Sequence, residues 1–209
     1  MIKVAIIIGS TRPGRKAEDV ARWVYKHAQN RTDARFELVD LKDFNLPLLD
    51  EPVPAMMGPY AQPHTQAWAA TIQSFDAFIF VTPEYNHGPS GALKNAIDFL
   101  YREWVNKVAG FVSYGSAGGT MAAEQLRLMM GQVEVATVRA QLKLSLFTDF
   151  EHFSIFKPAP RHEASLTALF DQVIAWGKAL KPLRKNGAKA SSKSRAKAPS
   201  KGRAKASRR

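Results

Sequence analysis

Three short segments rich in Gly, Ser, Pro and Arg could together bind a phosphorylated aromatic ligand. The first, GSTRPGR, spans residues 9–15. Its hydroxyls, on Ser10 and Thr11, are hydrogen-bond donors, and the guanidinium groups of Arg12 and Arg15 suit paired phosphate oxygens. The unpaired N–H groups of a following helix would add further donors. The segment therefore predicts a phosphate site, and the alternative is a plain helix cap with both arginines in solvent.

The second segment, TPEYNHGPSG over residues 82–91, is stiff and polar. Its two prolines restrict the backbone, so the N–H groups of Glu84, Tyr85 and Asn86 can be held toward fixed acceptors on a ligand. A flavin ring needs donors near N1 and its C2 carbonyl, an acceptor for N3–H, and flat apolar cover. A tyrosine and an asparagine beside rigid backbone supply these groups. The candidate binding residues are Pro83, Glu84, Tyr85 and Asn86.

These side chains also have simpler interpretations. Tyr85 could cover the hydrophobic core, and Asn86 could satisfy its own backbone in a turn. Glu84 and His87 are expected to face solvent rather than to transfer protons.

The third segment, SYGSAGG over residues 113–119, contains three glycines. Glycine tolerates positive φ and lets the backbone approach a flat ligand closely. The alternative is an ordinary strand-to-helix turn, but three glycines exceed what such a turn needs. The candidate binding residues are Ser113, Tyr114, Gly115 and Gly119.

Strand and helix patterns alternate along the chain and place all three segments after strands. Apolar or alternating runs predict five strands, at residues 4–8, 35–41, 76–82, 108–115 and 138–147. Helical periodicity predicts five helices, at residues 17–29, 61–75, 90–104, 118–133 and 162–180. This alternation predicts an α/β fold with a doubly wound parallel sheet and helices on both faces. Ligands bind such sheets at the carboxyl ends of the strands, where the three segments meet.

Asp40 lies at the end of the second predicted strand. A carboxylate at this position binds a ribose hydroxyl in dinucleotide-binding folds. The chain lacks the GxGxxG pattern of those folds and the GxxxxGK[ST] pattern of mononucleotide P-loops. We therefore interpret Asp40 as an ordinary polar residue at a strand end.

Positive charge is concentrated at the C-terminal end of the 209-residue chain. The formal net charge is +12, yet residues 1–180 carry 18 basic and 18 acidic residues. Residues 181–209 carry 12 basic residues, no acidic residue and no aromatic residue. Such a composition cannot build a core, so we expect residues 1–180 to form one domain and residues 181–209 to be a disordered basic tail. The tail could contact polyanions non-specifically, but it lacks aromatic side chains for stacking on bases.

The chain has no cysteine, which excludes disulfides, thiolate catalysis and Cys-based metal sites. The five histidines are scattered and no HExxH motif occurs, so no metal site is predicted. There is no signal-peptide pattern and no apolar run of membrane-spanning length. These features predict a soluble, cytoplasmic protein.

The motifs GSTRPGR, TPEYNHGPSGALKNAIDFLYREW and VSYGSAGG resemble those of the NADPH-dependent FMN reductase family, in its quinone-reductase branch. The resemblance covers residues 1–180 in order. It implies a flavodoxin-like fold with five strands in the order 2-1-3-4-5. It also implies a homodimer or homotetramer, with a helix from Ser90 to Trp104 packed at the subunit interface, which would explain the wide aromatic face of that helix.

The same resemblance implies how FMN is bound. The phosphate would contact Ser10, Thr11, Arg12 and Arg15. The isoalloxazine edge would lie against Pro83, Glu84, Tyr85 and Asn86, with Ser113, Tyr114, Gly115 and Gly119 on the far side. Many members carry Ser and Asn after the first arginine, whereas this chain has Gly14, Arg15 and Lys16. Phosphate binding is therefore expected to depend more on charge than on hydroxyls.

The function implied is hydride transfer from NADPH, or NADH, through N5 of bound FMN to a quinone or similar small acceptor. The order would be ping-pong, with no side chain acting as the catalyst. Two alternatives stay open from the sequence. One is a non-enzymatic FMN electron carrier, and the other is a flavoprotein that associates with nucleic acid through its basic tail.

Overall fold

A computed structural model describes residues 1–195 and shows a five-stranded parallel sheet in the order β2-β1-β3-β4-β5. The strands are β1 Ile2–Ile8, β2 Ala34–Asp40, β3 Ala77–Pro83, β4 Lys107–Gly115 and β5 Val135–Ser145, followed by a small antiparallel pair, β6 Phe150–Glu151 and β7 Ile155–Phe156. The helices are α1 Ala17–Ala28, α2 Pro63–Gln73, α3 Gly91–Asp98, α4 Thr120–Gln132 and α5 His162–Arg195, with a 3₁₀ helix at Leu41–Phe44. The predicted fold class and strand order are confirmed.

The apolar strands are buried because helices cover both faces of the sheet. In β1, Val4, Ile6 and Ile8 face a core shared with α1 and α5, whereas Ala5 and Ile7 face a second core shared with α2, α3 and α4. This alternation follows from the two-residue period of a strand. The carboxyl edge of the sheet is therefore flanked by the N-termini of helices from both layers.

Helix α3 is shorter than predicted. It ends at Asp98 instead of reaching Trp104, and the residues that follow form turns. Trp104 is fully buried within its own chain, with its ring centroid 4.9 Å from that of Phe78 and 6.2 Å from that of Trp68. Its indole N–H donates to the Ile97 carbonyl at 3.2 Å. Trp104 thus packs in the second core of its own chain, and its burial there does not depend on a subunit interface.

Helix α5 extends beyond the predicted boundary at Leu180. The Lys181 ammonium donates to the Asp76 carboxylate at 2.8 Å, and the Arg184 guanidinium donates to the same carboxylate and to the Asn106 carbonyl, the latter at 2.8 Å. Lys181 and Arg184 therefore belong to the folded body, a correction to the predicted boundary. The remainder of the predicted tail, residues 196–209, lies outside the described residues. Despite the length of α5, no helix within residues 1–195 is apolar enough over a sufficient length to cross a membrane.

Candidate functional site

Three loops meet at the carboxyl edge of the sheet: loop 1 (residues 9–16) after β1, loop 2 (84–90) after β3 and loop 3 (116–119) after β4. The three loops are neighbours because β3 lies between β1 and β4 in the sheet. The Gly9 N–H donates to the carbonyl of Val81, the last residue but two of β3, at 2.8 Å. The Glu84 N–H donates to the Tyr114 carbonyl of β4 at 3.0 Å. The convergence predicted for the three segments is therefore present.

Loop 1 presents one guanidinium group and one helix N-terminus to the open side of this edge. Thr11 and Arg12 are exposed, and the Arg12 guanidinium lies 5.8 Å from the centroid of the Tyr85 ring, within the range of a cation–π contact. Helix α1 begins with Lys16 at its N-cap position, and the Lys16 side chain does not cap it. Uncapped N–H groups at a helix N-terminus attract anions. Ser10, by contrast, is buried.

Arg15 is placed differently from Arg12. Its guanidinium makes two hydrogen bonds with the Asp40 carboxylate, one of them at 2.8 Å, and a further one with Glu18 at 3.3 Å. It also donates to the Ser10 carbonyl at 2.7 Å, and its side chain is 7% exposed. The structure therefore does not bring Arg15 to the open side with Arg12. Arg15 instead fixes the backbone of loop 1 to the end of β2, and Asp40 is its partner.

Loop 2 folds as a tight hairpin. The Tyr85 N–H donates to the Gly88 carbonyl at 2.9 Å, and the Gly88 N–H donates back at 3.0 Å. Asn86 and His87 have φ angles of 50° and 64°, the pair of positive values that a type I′ turn requires. Two of the three N–H groups predicted to face a ligand, those of Glu84 and Tyr85, are thus bound within the chain. Asn86 has the turn role that the simpler interpretation assigned to it.

Glu84 connects loop 2 to helix α4. Its carboxylate accepts hydrogen bonds from the Met121 N–H at 2.9 Å and the Ala122 N–H at 3.2 Å. Helix α4 has Gly119 at its N-cap and therefore no capping side chain of its own. A carboxylate at a helix N-terminus is stabilised by the helix dipole. The expectation that Glu84 faces solvent was wrong, since it caps a helix 37 residues further along the chain.

Loop 3 is shaped by a buried serine and by glycine geometry. The Ser113 hydroxyl donates to the Gly118 carbonyl at 2.7 Å and accepts from the Gln141 amide at 3.0 Å, so it is committed within the fold. Gly119 has φ +69°, and a Cβ at this position would lie 2.7 Å from the Tyr114 nitrogen. Loop 3 therefore needs glycine at position 119 to pass this close to β4.

Tyr114 links all three loops. Its side chain is buried, and this burial raises the pKa of its phenol above the usual range, an effect reinforced by neighbouring Tyr85 and opposed by the charge of Arg12. The backbone N–H of Ala17, at the start of α1, interacts with the same hydroxyl. The phenol therefore remains protonated at neutral pH. Arg12, Tyr85 and Tyr114 form a cluster, here called the junction cluster, where the loops converge.

Ser90 is a structural residue of the site that sequence reasoning did not identify. Its buried hydroxyl donates to the Gly9 carbonyl and accepts from the Leu93 N–H at 3.1 Å, which joins loop 1 to the N-terminus of α3. Serine directly before an apolar helical pattern is a typical N-cap signal, and the segment SGAL contains it. The bond from Ser90 to Gly9 has no such local signal.

A family model described as NADPH-dependent FMN reductase matches residues 2–149. The chain belongs to this family. It is 42% identical over 159 residues to the NAD(P)H-dependent FMN reductase ntnL of Nectria sp, which covers 71% of this chain and 79% of the relative. It is also 34% identical over 132 residues to an NAD(P)H:quinone oxidoreductase of Solanum tuberosum, covering 61% of this chain and 66% of the relative. The recognition of the family from its motifs is confirmed.

A solved structure supports the fold. The flavoenzyme NAD(P)H:(acceptor) oxidoreductase FerB of Paracoccus denitrificans superposes with a TM-score of 0.67 at 21% identity, covering 85% of this chain and 98% of that one. Members of the FMN reductase family are oxidoreductases, so this member is an FMN-dependent NAD(P)H oxidoreductase. The non-enzymatic electron carrier considered from the sequence is therefore disfavoured.

The residues at the carboxyl edge fit FMN. An anionic group has the exposed Arg12 guanidinium available, next to the N-terminus of α1, where the N-cap residue Lys16 makes no side-chain hydrogen bond. Gly115 and Gly119 allow loop 3 to pack tightly against its own strand, since a Cβ on Gly115 would lie 3.2 Å from the Gly119 nitrogen. Tyr85, about one third exposed, offers an aromatic surface beside this space. An exposed guanidinium beside a partly exposed aromatic ring is compatible with a ligand that carries a phosphate and a flat ring.

Proposed function

We propose that this FMN-dependent oxidoreductase reduces a quinone or a similar flat acceptor with electrons from NAD(P)H in a ping-pong sequence. The observation that carries the proposal is the junction cluster, which places one exposed cation beside an exposed aromatic ring at the meeting point of three loops. Similarity to quinone reductases of Solanum tuberosum and Pseudomonas putida supports the class of acceptor. A flat acceptor suits an open face bordered by Tyr85.

Each residue has a stated task in this proposal. Arg12 and Thr11 hold the phosphate of FMN beside the N-terminus of α1, while Arg15 and Asp40 hold loop 1 in place. Tyr85 and the turn at Asn86 border the ring. Bound FMN supplies the redox chemistry, accepting two electrons from NAD(P)H and passing them to the acceptor.

The residues of loop 3 have a structural task. Ser113, Gly115 and Gly119 keep loop 3 close to β4, so that ring and protein can be in contact. Tyr114 remains a neutral phenol between loops 1 and 2, since burial raises its pKa. No side chain is required to exchange a proton with substrate.

The first experiment is an absorption spectrum of purified protein after incubation with FMN, followed by anaerobic titration with NADPH and NADH. We expect a flavin spectrum that bleaches on addition of nicotinamide and returns on addition of a benzoquinone. Initial rates at several fixed quinone concentrations should give parallel double-reciprocal lines. Intersecting lines would contradict the ping-pong order, and a colourless protein would contradict the site.

A further inference from the structure

A cavity of about 310 Å³ lies beside loop 1, between that loop, the 3₁₀ helix after β2 and the first turns of α3. Leu41, Leu46 and Ala92 form its apolar side. Its polar side is formed by Thr11, Lys42, Asn45 and Asn95. Because Thr11 belongs to loop 1, the cavity adjoins the region of the junction cluster. Apolar walls with a few polar groups are typical of small-molecule sites.

Three polar side chains in this cavity are uncommitted. Among the residues with described side chains, 1–184, none makes a hydrogen bond or ion pair with the side chains of Thr11, Lys42 or Asn45. Asn95 differs, because its amide accepts from the Leu49 N–H at 3.0 Å and donates to the Pro47 carbonyl at 2.7 Å. Asn95 therefore shapes the wall, whereas the other three can bind a ligand.

The charge of the cavity favours an anion. Lys42 is the lining residue that carries a formal charge. The Asp40 carboxylate, two residues before Lys42, is neutralised by Arg15 and accepts the backbone N–H of Lys42 at 2.9 Å. Asp43 lines a separate groove with Glu37. Within residues 1–184, the ammonium of Lys42 therefore has no ion-pair partner.

We propose that this cavity binds the adenosine 2′-phosphate end of NADPH, with Lys42 in contact with the 2′-phosphate. The inference rests on the proposed function, because it needs a nicotinamide co-substrate whose reactive end lies at the junction cluster. The adenine would lie against Leu41, Leu46 and Ala92, and the amide of Asn45 would contact the ribose, while Thr11 borders the cavity on the side of the FMN phosphate. Lys42 then determines specificity, since NADH lacks the phosphate.

The test compares Lys42→Gln with Lys26→Gln, which removes an exposed lysine near the C-terminal end of α1, at the opposite edge of the sheet. Calorimetry on FMN-saturated protein would measure the affinity for adenosine 2′,5′-bisphosphate and for adenosine 5′-monophosphate. We expect the unmodified protein and Lys26→Gln to bind the bisphosphate about ten- to a hundredfold more tightly, as one charge-assisted contact implies. Lys42→Gln should abolish this difference and lower the preference for NADPH over NADH in the ratio of KM values.

Three results would overturn the inference. An unaltered preference in Lys42→Gln would remove Lys42 from the 2′-phosphate. Equal weakening of both adenosine ligands would indicate a general phosphate site. Weaker binding of FMN itself in Lys42→Gln would assign the cavity to the cofactor. These three results are informative only if the unmodified protein binds FMN and oxidises NADPH. An unmodified protein that does neither would overturn both the proposed function and this inference.

Discussion

Glu84 offers a direct test of how loop 2 is fixed. Its carboxylate accepts from the first-turn N–H groups of Met121 and Ala122, at 2.9 and 3.2 Å. Glu84→Ala leaves both groups without this partner and removes a negative charge from the N-terminus of α4. Glu84→Gln keeps an acceptor but removes the charge. The two variants therefore separate hydrogen bonding from the interaction with the helix dipole.

The expected cost follows from these contacts. A hydrogen bond to a charged group contributes about 1.5–3 kcal/mol, and water can replace part of it because Glu84 is only half-buried. We expect Glu84→Ala to lower the free energy of unfolding by about 2 kcal/mol, and Glu84→Gln by about 0.3–1 kcal/mol, the value of a charge near a helix terminus. For a chain of this length these losses correspond to about 4–8 °C and 1–4 °C in Tm.

Thermal unfolding followed by circular dichroism, with and without FMN, measures both effects. Glu124→Ala is the matched control, since Glu124 lies on the same helix and makes an exposed i,i+3 pair with Arg127 at 3.2 Å. We expect that control to change stability by less than about 0.5 kcal/mol. Glu84→Ala should also weaken FMN binding, because the mutation loosens loop 2. A Tm equal to that of Glu124→Ala would refute the capping role.

Three further predictions concern the charged residues. Arg12→Ala should weaken FMN binding by about 1.5–3 kcal/mol in a fluorescence titration, and unchanged retention would remove Arg12 from the phosphate site. Burial, reinforced by the charge of Arg184, lowers the pKa of Lys107 to about 7, whereas in the unfolded chain it lies near 10.4. Between these two pKa values the unfolded chain binds more protons than the folded chain, so the free energy of unfolding should rise from pH 7 to pH 10. The rise amounts to about 1.4 kcal/mol for each unit of pKa difference. Lys107→Met removes the titrating group and should flatten this rise. Truncation after Leu180 removes two cations from Asp76 and should lower the free energy of unfolding by about 2 kcal/mol, whereas truncation after Arg195 should leave it unchanged. If both truncated proteins have the same Tm, the contacts with Asp76 contribute nothing to stability. Retention of each variant on heparin is a separate measurement, which tests whether the tail contacts polyanions.

The sheet could be predicted from sequence because the central strands β1, β3 and β4 are buried on both faces and read as apolar runs, while the edge strands β2 and β5 keep a partly alternating pattern. The C-terminal ends of helices α3 and α5 could not be predicted in this way. Residues 99–104 continue the apolar spacing of α3, yet they form turns whose side chains fill the second core. At the other end of the chain, charge composition predicted a boundary at Leu180. Two of those charges bind Asp76, which lies more than 100 residues away in sequence.

The position of the site could be predicted from the sequence, but the role of each of its residues could not. The three loops were found from composition and from their place after strands. The pairing of Arg15 with Asp40 and the capping of α4 by Glu84 join residues 25 and 37 or more positions apart. No local pattern distinguishes Arg12, which is exposed, from Arg15, which is not. Tertiary contacts decide that difference.

Charge at this edge of the sheet follows from those pairings. The carboxylates of Asp40 and Glu18 accept hydrogen bonds from Arg15. The carboxylate of Glu84 accepts a hydrogen bond from the N-terminus of α4. Two exposed cations, Arg12 in loop 1 and Lys42 beside it, have no ion pair among residues 1–184. Arg15 and Lys16 add positive charge to loop 1. The charge of Arg15, however, is paired with Asp40, and this pair holds the loop in place. An edge arranged in this way suits two anionic ligands bound side by side, and binding of the second phosphate should weaken steeply with salt if Lys42 contributes as proposed.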